Sequence, residues 1–128
     1  MSYLIQKEDV PVKVKIDGKR NTVLLARLYV GRSATGAYKN SKLISLNRYK
    51  FRGKYKKMVC DVSDRIYFVI EGKITNFRVG DEVYAKVKKG DIVFIPKGTP
   101  YSWDWGECEY MVMNGPAFVP GSDKILTE

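Results

Sequence analysis

The chain has 128 residues, 45% of them apolar, with 23 basic against 14 acidic side chains, a net charge of +9 and no histidine. That length supports one hydrophobic core, so a single domain spanning 1–128 is expected. The lack of histidine excludes Ser–His and Cys–His catalytic couples and imidazole-built metal centres, and no apolar run approaches the roughly 18 residues that span a bilayer.

The first eight residues, MSYLIQKE, have no apolar segment behind a basic start, which predicts a soluble, cytoplasmic protein with no membrane partner. Next, 12-VKVKI-16 alternates at period two and runs into Asp17-Gly18, a turn pair, so an N-terminal hairpin is expected over about 10 to 30. The polar stretch 31-GRSATGAYKNSK-42 reads as the longest loop. Between Asp17 and Asp61 there are twelve Lys and Arg and no acid. Five of them, Arg48, Lys50, Arg52, Lys54 and Lys56, alternate with Tyr49, Phe51, Gly53 and Tyr55. As a strand, that segment turns a cationic ridge to one side and an aromatic face to the other.

Further on, 66-IYFVI-70 and 92-IVFI-95 are short continuous apolar runs, and 82-EVYAKV-87 alternates. Gly80-Asp81 reads as a hairpin turn, while Gly72 and Gly90 are expected to close two more strands. After Trp103-Asp104-Trp105, the strand continues through Glu107, Glu109, Met111 and Met113, whose thioethers are expected to fill gaps in the core. The last segment, 119-VPGSDKILTE-128, reads as a surface tail. Helical periodicity is absent throughout, so the fold is all-β. Cys60 and Cys108 match no zinc pattern and are expected to be reduced thiols.

Two segments, 53-GKYKKMVCDVSDRIYFVIEG-72 and 90-GDIVFIPKGTPYSWDW-105, share a spacing with the paired motifs G-x5-H-x-H-x3-E-x6-G and G-x5-P-x-G-x2-H-x3-N. The chain therefore resembles the cupin superfamily over about residues 42–118. The resemblance implies a double-stranded β-helix, or jelly-roll, barrel, with homodimerisation through the N-terminal strands. The glycines and Pro96 are in register, but the four metal-ligand positions hold Val59, Asp61, Arg65 and Tyr101, and Trp105 stands at the closing Asn position. One carboxylate beside a permanent cation does not make a divalent-metal site, so no metal and no cofactor are expected.

In the resemblance these four positions converge inside the barrel mouth. The guanidinium of Arg65 matches a carboxylate or phosphate. Asp61 is then a base or the partner that positions Arg65, and Tyr101 a proton or hydrogen-bond donor. The structural alternative is a buried Asp61–Arg65 ion pair replacing the metal as filler. Alternation adds Tyr67 and Val69, and with Val59 also Tyr49, Phe51 and Tyr55, as candidates for the pocket lining. Trp103, Asp104 and Trp105 either hold a sugar or planar ligand at the mouth or plug the barrel end.

The expected function is metal-independent binding of a small anionic or sugar-like ligand inside the barrel. The alternative is a metal-free isomerase, epimerase or lyase using Asp61, Arg65 and Tyr101. A further reading gives the ridge of Arg48, Lys50, Arg52, Lys54 and Lys56 a polyanion partner. Without a groove-reading helix or an RNA-binding signature, nucleic acid is not the expected partner.

Overall fold

The structure is a computed structural model that describes residues 3–17, 21–32 and 36–126. Among these residues, one 3-10 turn at Lys7–Asp9 is followed by nine strands: β1 (Lys13–Asp17), β2 (Asn21–Gly31), β3 (Lys39–Asn40), β4 (Ser45–Cys60), β5 (Asp64–Val79), β6 (Glu82–Lys88), β7 (Ile92–Ile95), β8 (Tyr101–Gly115) and β9 (Asp123–Ile125). They join in the order β1-β2-β4-β8-β5-β6, with β3 on β2, β7 on β5 and β9 on β4. Every pairing is antiparallel except β2 with β3. Among the described residues, no helix is long and apolar enough to cross a membrane.

The barrel is built on three long strands, β4, β5 and β8, of 16, 16 and 15 residues. Each curves by interrupting its ladder. β4 and β8 shift register between Gly53 and Tyr55 and again before Met58, and β5 and β8 shift between Val69 and Glu71. Such bulges bend a strand and increase its twist, which lets one long strand serve both walls. Thus β5 pairs with β7 through residues 65–68 and with β6 through residues 73–79.

The aromatic alternation of β4 folds as expected, with Phe51 and Gly53 buried and Lys50, Arg52, Lys54 and Lys56 exposed. Phe51, Tyr67, Phe77, Tyr101, Trp103 and Tyr110 fill the interior together with Val69, Ile74 and Ile95. Trp103 sits at the centre of this group, stacked on Tyr55 at 4.3 Å and edge-on to Phe51 at 5.5 Å between ring centroids. Its indole N–H donates to the carbonyl of Gly53 at 3.2 Å, so the one polar atom of the ring is satisfied in the dry core.

Several expectations change. Gly72 closes no strand: it lies inside β5 at φ +80°, beyond the register shift. Part of the 31–42 segment is strand, since Lys39 and Asn40 pair with Val30 and Gly31. Segment 119–128 is more than a tail, because Asp123–Ile125 pair with Met58–Cys60 of β4. The alternation of 82–87 buries only Val87, because β6 lies at the end of the sheet order. Gly80-Asp81 is the hairpin turn between Val79 and Glu82, whereas Gly18 lies outside the described residues.

A side chain at Gly72 meets two obstacles: the positive φ and a carbonyl oxygen of Glu107 that lies 2.1 Å from an added Cβ. Gly90, at φ +91°, has open space around it. Gly90→Ala is expected to cost about 1–2 kcal/mol of backbone strain alone. Gly72→Ala should lose at least twice that, measured by urea unfolding of the two variants side by side.

Candidate functional site

Arg65 is the second residue of β5 and points inward, 4% exposed. A buried guanidinium has to find partners for its N–H groups and its charge. Nε donates to Oδ1 of Asn114 at 2.6 Å, and Nη1 to the hydroxyl of Tyr101 at 2.7 Å. Nη2 and Nη1 donate to Asp123 Oδ1 and Oδ2 at 2.8 and 3.3 Å. Burial works against the charge, but Tyr101, Tyr67 and Asp123 outweigh it and hold the guanidinium well above its ordinary pKa. Arg65 is a fixed cation at every working pH.

Each partner is positioned in turn. Asn114 donates from Nδ2 to Ser45 Oγ at 3.2 Å, and that oxygen also accepts the Phe118 backbone N–H at 2.9 Å. The Tyr101 hydroxyl lies 2.8 Å from that of Tyr67 and 3.3 Å from that of Tyr55, so three phenols meet beside the guanidinium. Burial first, then the neighbouring phenols, push Tyr55, Tyr67 and Tyr110 well above the ordinary tyrosine pKa. They are neutral hydrogen-bonding groups.

Above this floor opens a cavity of about 550 Å³. Tyr49, Phe51, Tyr55, Tyr67 and Tyr110 line it with Val23, Ala26, Val112 and Phe118, and Asn47, Arg65, Asn114 and Asp123 supply polar atoms. Asp123 is the one acid among these residues.

Of the four motif positions, the structure brings together Arg65 and Tyr101 and separates the other two. Asp61 is exposed and faces Lys124 at 3.5 Å. It follows Cys60, the last residue of β4, so the strand alternation that would turn it inward has already ended. The carboxylate on Arg65 is Asp123, carried in by β9, whose Asp123 pairs with Cys60. Val59 is buried but does not line the cavity. Tyr49 and Tyr67 line it.

Trp103, Asp104 and Trp105 do not line this cavity. Trp103 is fully buried in the core, and Trp105 is 48% exposed on the outside. Asp104 is exposed on Arg78 and Asn76 at 2.5 and 2.9 Å, and these hydrogen bonds lower its pKa to about 2. With Lys54, Lys57 and Arg78, Asp104 borders a separate cleft of about 340 Å³, which Tyr55 and Tyr101 also line. In the ridge, Arg48 is drawn into an ion pair with Glu109, while the other four cations stay exposed. Cys60 and Cys108 are free and buried, and burial pushes the Cys108 thiol up to about 12.

Alternation through β8 also departs from expectation. Gly53 faces Gly106 and Tyr55 faces Trp103, so β8 spends one residue more than β4 over this interval. Asp104 and Trp105 are both exposed, and from Gly106 onward the even-numbered residues point inward. Tyr110, Val112 and Asn114 therefore enter the site, while Met111 and Met113, expected in the core, face outward. Continuing the alternation from Tyr101 leads to the wrong set, and the Asp104-Trp105 break is the only local sign.

The donor set does not fit the divalent metal that the cupin motifs hold. Arg65 occupies one ligand position, and the single carboxylate lining the cavity is already bound to it. Among the described residues, no three Cys, Asp or Glu side chains converge.

No family model matches the chain, and no curated protein matches it in sequence. Solved structures do match in fold. A variant of Streptomyces PAC13 with uridine is 17% identical at TM-score 0.67, covering 99% of this chain and 92% of that one. Pac13 is described as a unique nucleoside dehydratase. The polyketide cyclase RemF from Streptomyces resistomycificus is 20% identical at TM-score 0.65, covering 100% and 89%. The DMSP lyase DddQ from Ruegeria pomeroyi is 14% identical at TM-score 0.65, covering 92% and 61%. The fold is the cupin-type barrel. At these identities the likeness is one of architecture.

The two carboxylates near Arg65 in sequence or space differ in what their loss removes. Asp123→Ala strands the buried Arg65 and should cost about 3 kcal/mol, the low end for breaking a buried pair because the cavity admits water; Asp61→Ala should stay within about 0.5 kcal/mol. Chemical denaturation of both variants checks the contrast. A separate expectation concerns alkali. An unfolded chain releases phenolic protons near pH 10, while the barrel retains those of Tyr55, Tyr67 and Tyr110. Stability is therefore complete below that pH and falls above it, by about 1.4 kcal/mol per pH unit per phenol. Urea midpoints from pH 8 to 12, with tyrosinate absorbance read in parallel, should show stability and ionisation changing together.

Proposed function

We propose that this protein binds a small, ring-bearing, hydroxyl- or carbonyl-rich molecule inside the barrel, with Arg65, Tyr67, Asn114 and Asp123 as its polar contacts and Tyr101 behind them as a hydrogen-bonded support. The observation that carries this reading is the cavity of about 550 Å³, which has aromatic walls and a hydrogen-bonded Arg65–Asp123 floor. Its size lies within the roughly 300–1,000 Å³ of small-molecule sites, and its lining of apolar rings around a few convergent polar groups is typical of them. The neighbours are consistent with the same ligand class, since one is described with uridine and another as a polyketide cyclase.

The Arg65–Asp123 pair narrows the expectation of an anionic or sugar-like ligand. A free guanidinium favours a carboxylate or phosphate, but this one already faces a carboxylate, so an anion has to displace Asp123 before it gains the charge. A neutral polyol or nucleoside-like ring uses both members as they stand, giving hydroxyl protons to Asp123 and accepting from Asn114 Nδ2 or the phenols.

A second reading, a metal-free isomerase, epimerase or lyase, is favoured by one feature. A carboxylate and several neutral phenols face the same cavity, which is the donor–acceptor set that proton transfer needs. In that case Asp123 is the base in place of Asp61, and Tyr67, hydrogen-bonded to Tyr101 behind it, donates to the developing negative charge on the substrate.

Thermal unfolding in the presence of uridine, neutral sugars, nucleotide sugars and carboxylic acids tests the proposal. A neutral ring at about a hundredfold excess over its Kd should add about 2.7 kcal/mol of stability. Tyr67→Phe and Arg65→Met should each weaken the shift. If no compound stabilises the wild type, or if both variants respond undiminished, the cavity is not the binding site. Turnover of a stabilising compound that is lost in Asp123→Asn while binding persists selects the catalytic reading.

A further inference from the structure

The extra residue in β8 leaves an apolar surface on the outside of the barrel. Two rows cross the sheet there in register. One runs Leu46–Met113–Ile66–Phe94 and the other Met111–Phe68–Ile92, over β4, β8, β5 and β7. Ile92 is 63% exposed, Phe94 55%, and Phe68 and Met113 40% each. These four exposures equal about two whole side chains, or roughly 400 Å² at about 200 Å² apiece, and Ile66 and Met111 add part of theirs. Scattered exposed apolar residues need no explanation, whereas a contiguous patch of this size matches the largest apolar patch of a typical monomer, which is often functional.

We infer that two copies of this chain associate face to face through the outer surface of β8, β5 and β7. The area suits a second copy. A standard interface buries about 800 Å² per partner, and an apolar share of about 65% comes to roughly 500 Å², close to what this patch offers. A two-fold axis along β5 sets Met113 of one copy over Phe94 of the other and Met111 over Ile92, pairing polarizable thioethers with a ring and a branched side chain. The rim also favours this occupant. Beside the patch, Arg48 pairs with Glu109, Lys89 pairs with Glu71 at 3.1 Å, and Lys50 stands opposite Glu109 in the ladder. Such a border of mixed sign is self-complementary under a two-fold axis. An anionic membrane instead selects an apolar face ringed by basic residues alone, and here Glu71 and Glu109 stand among the rim charges. The face also differs from the N-terminal strands through which the cupin resemblance implies pairing.

Sedimentation velocity on the full chain over a range of concentrations is the test. Wild type is expected at twice the protomer mass. Phe94→Asp and Met113→Asp, both at outward positions, should each weaken association by about two orders of magnitude, with circular dichroism and melting of the isolated protomer preserved. Leu24→Asp, on the 42% exposed Leu24 of β2, should leave the dimer intact. If either β-face variant misfolds, the other, or Ile92→Lys, gives the same readout. A wild type that stays monomeric, a dimer untouched by the β-face substitutions, or one dissociated by Leu24→Asp overturns the inference. So does a monomer that sediments with phosphatidylserine-containing vesicles and loses that binding in Phe94→Asp, which assigns the patch to a membrane surface.

Discussion

Placing one guanidinium inside an aromatic barrel creates a demand that organises the open end of this molecule. Arg65 has lost nearly all its water, so its charge and its donors must be met by the protein. Three separate parts of the chain answer. β8 contributes Asn114 and Tyr101, from opposite ends of the strand, and β9 brings Asp123 after a loop that follows the barrel's last long strand. The pairing of β9 with β4 and the burial of Arg65 therefore support each other. The backbone ladder carries the carboxylate to the charge, and the ion pair in turn anchors the three residues of β9.

The same interaction decides what the cavity is suited to hold. An unpaired arginine advertises for anions, whereas a paired one presents a local dipole of donors and acceptors. With Tyr67, Tyr55 and Tyr101 hydrogen-bonded beside it, the floor is a polar surface of nearly balanced charge under aromatic walls. A hydroxylated ring, the ligand class we propose, matches both features at once. Below, the Tyr55–Trp103 stack and the surrounding rings close the interior, so that the cleft near Arg78 and Asp104 is separate from the main cavity.

A single inserted residue in β8 has consequences on both faces of the sheet. It turns Tyr110, Val112 and Asn114 inward, completing the wall of the cavity and the clamp on Arg65. It also turns Met111 and Met113 outward beside Ile66, Phe68, Ile92 and Phe94. The outward turn of the two methionines gives the apolar outer surface and the inner site a common origin, because a side-chain period of two cannot change one face of a strand without changing the other.

The all-β class, the alternation of β4 and the turn at Gly80-Asp81 were legible in the chain because they rest on local periodicity, and the meeting of Arg65 with Tyr101 was implied by the resemblance to the cupin motifs. Tertiary structure decided the rest. Asp61 lies beyond the end of its strand, where alternation has no force, and Asp123 reaches Arg65 only because β9 adds to β4 across a long sequence separation. Neither fact has a local signature. Trp103 and Trp105 are two residues apart and look equivalent in the chain, yet one fills the core and the other faces solvent, since the register shift between them depends on the facing strand. Where the physics was confined to neighbours along the chain it was legible; where it depended on which strand lay alongside, only the assembled barrel supplied the answer.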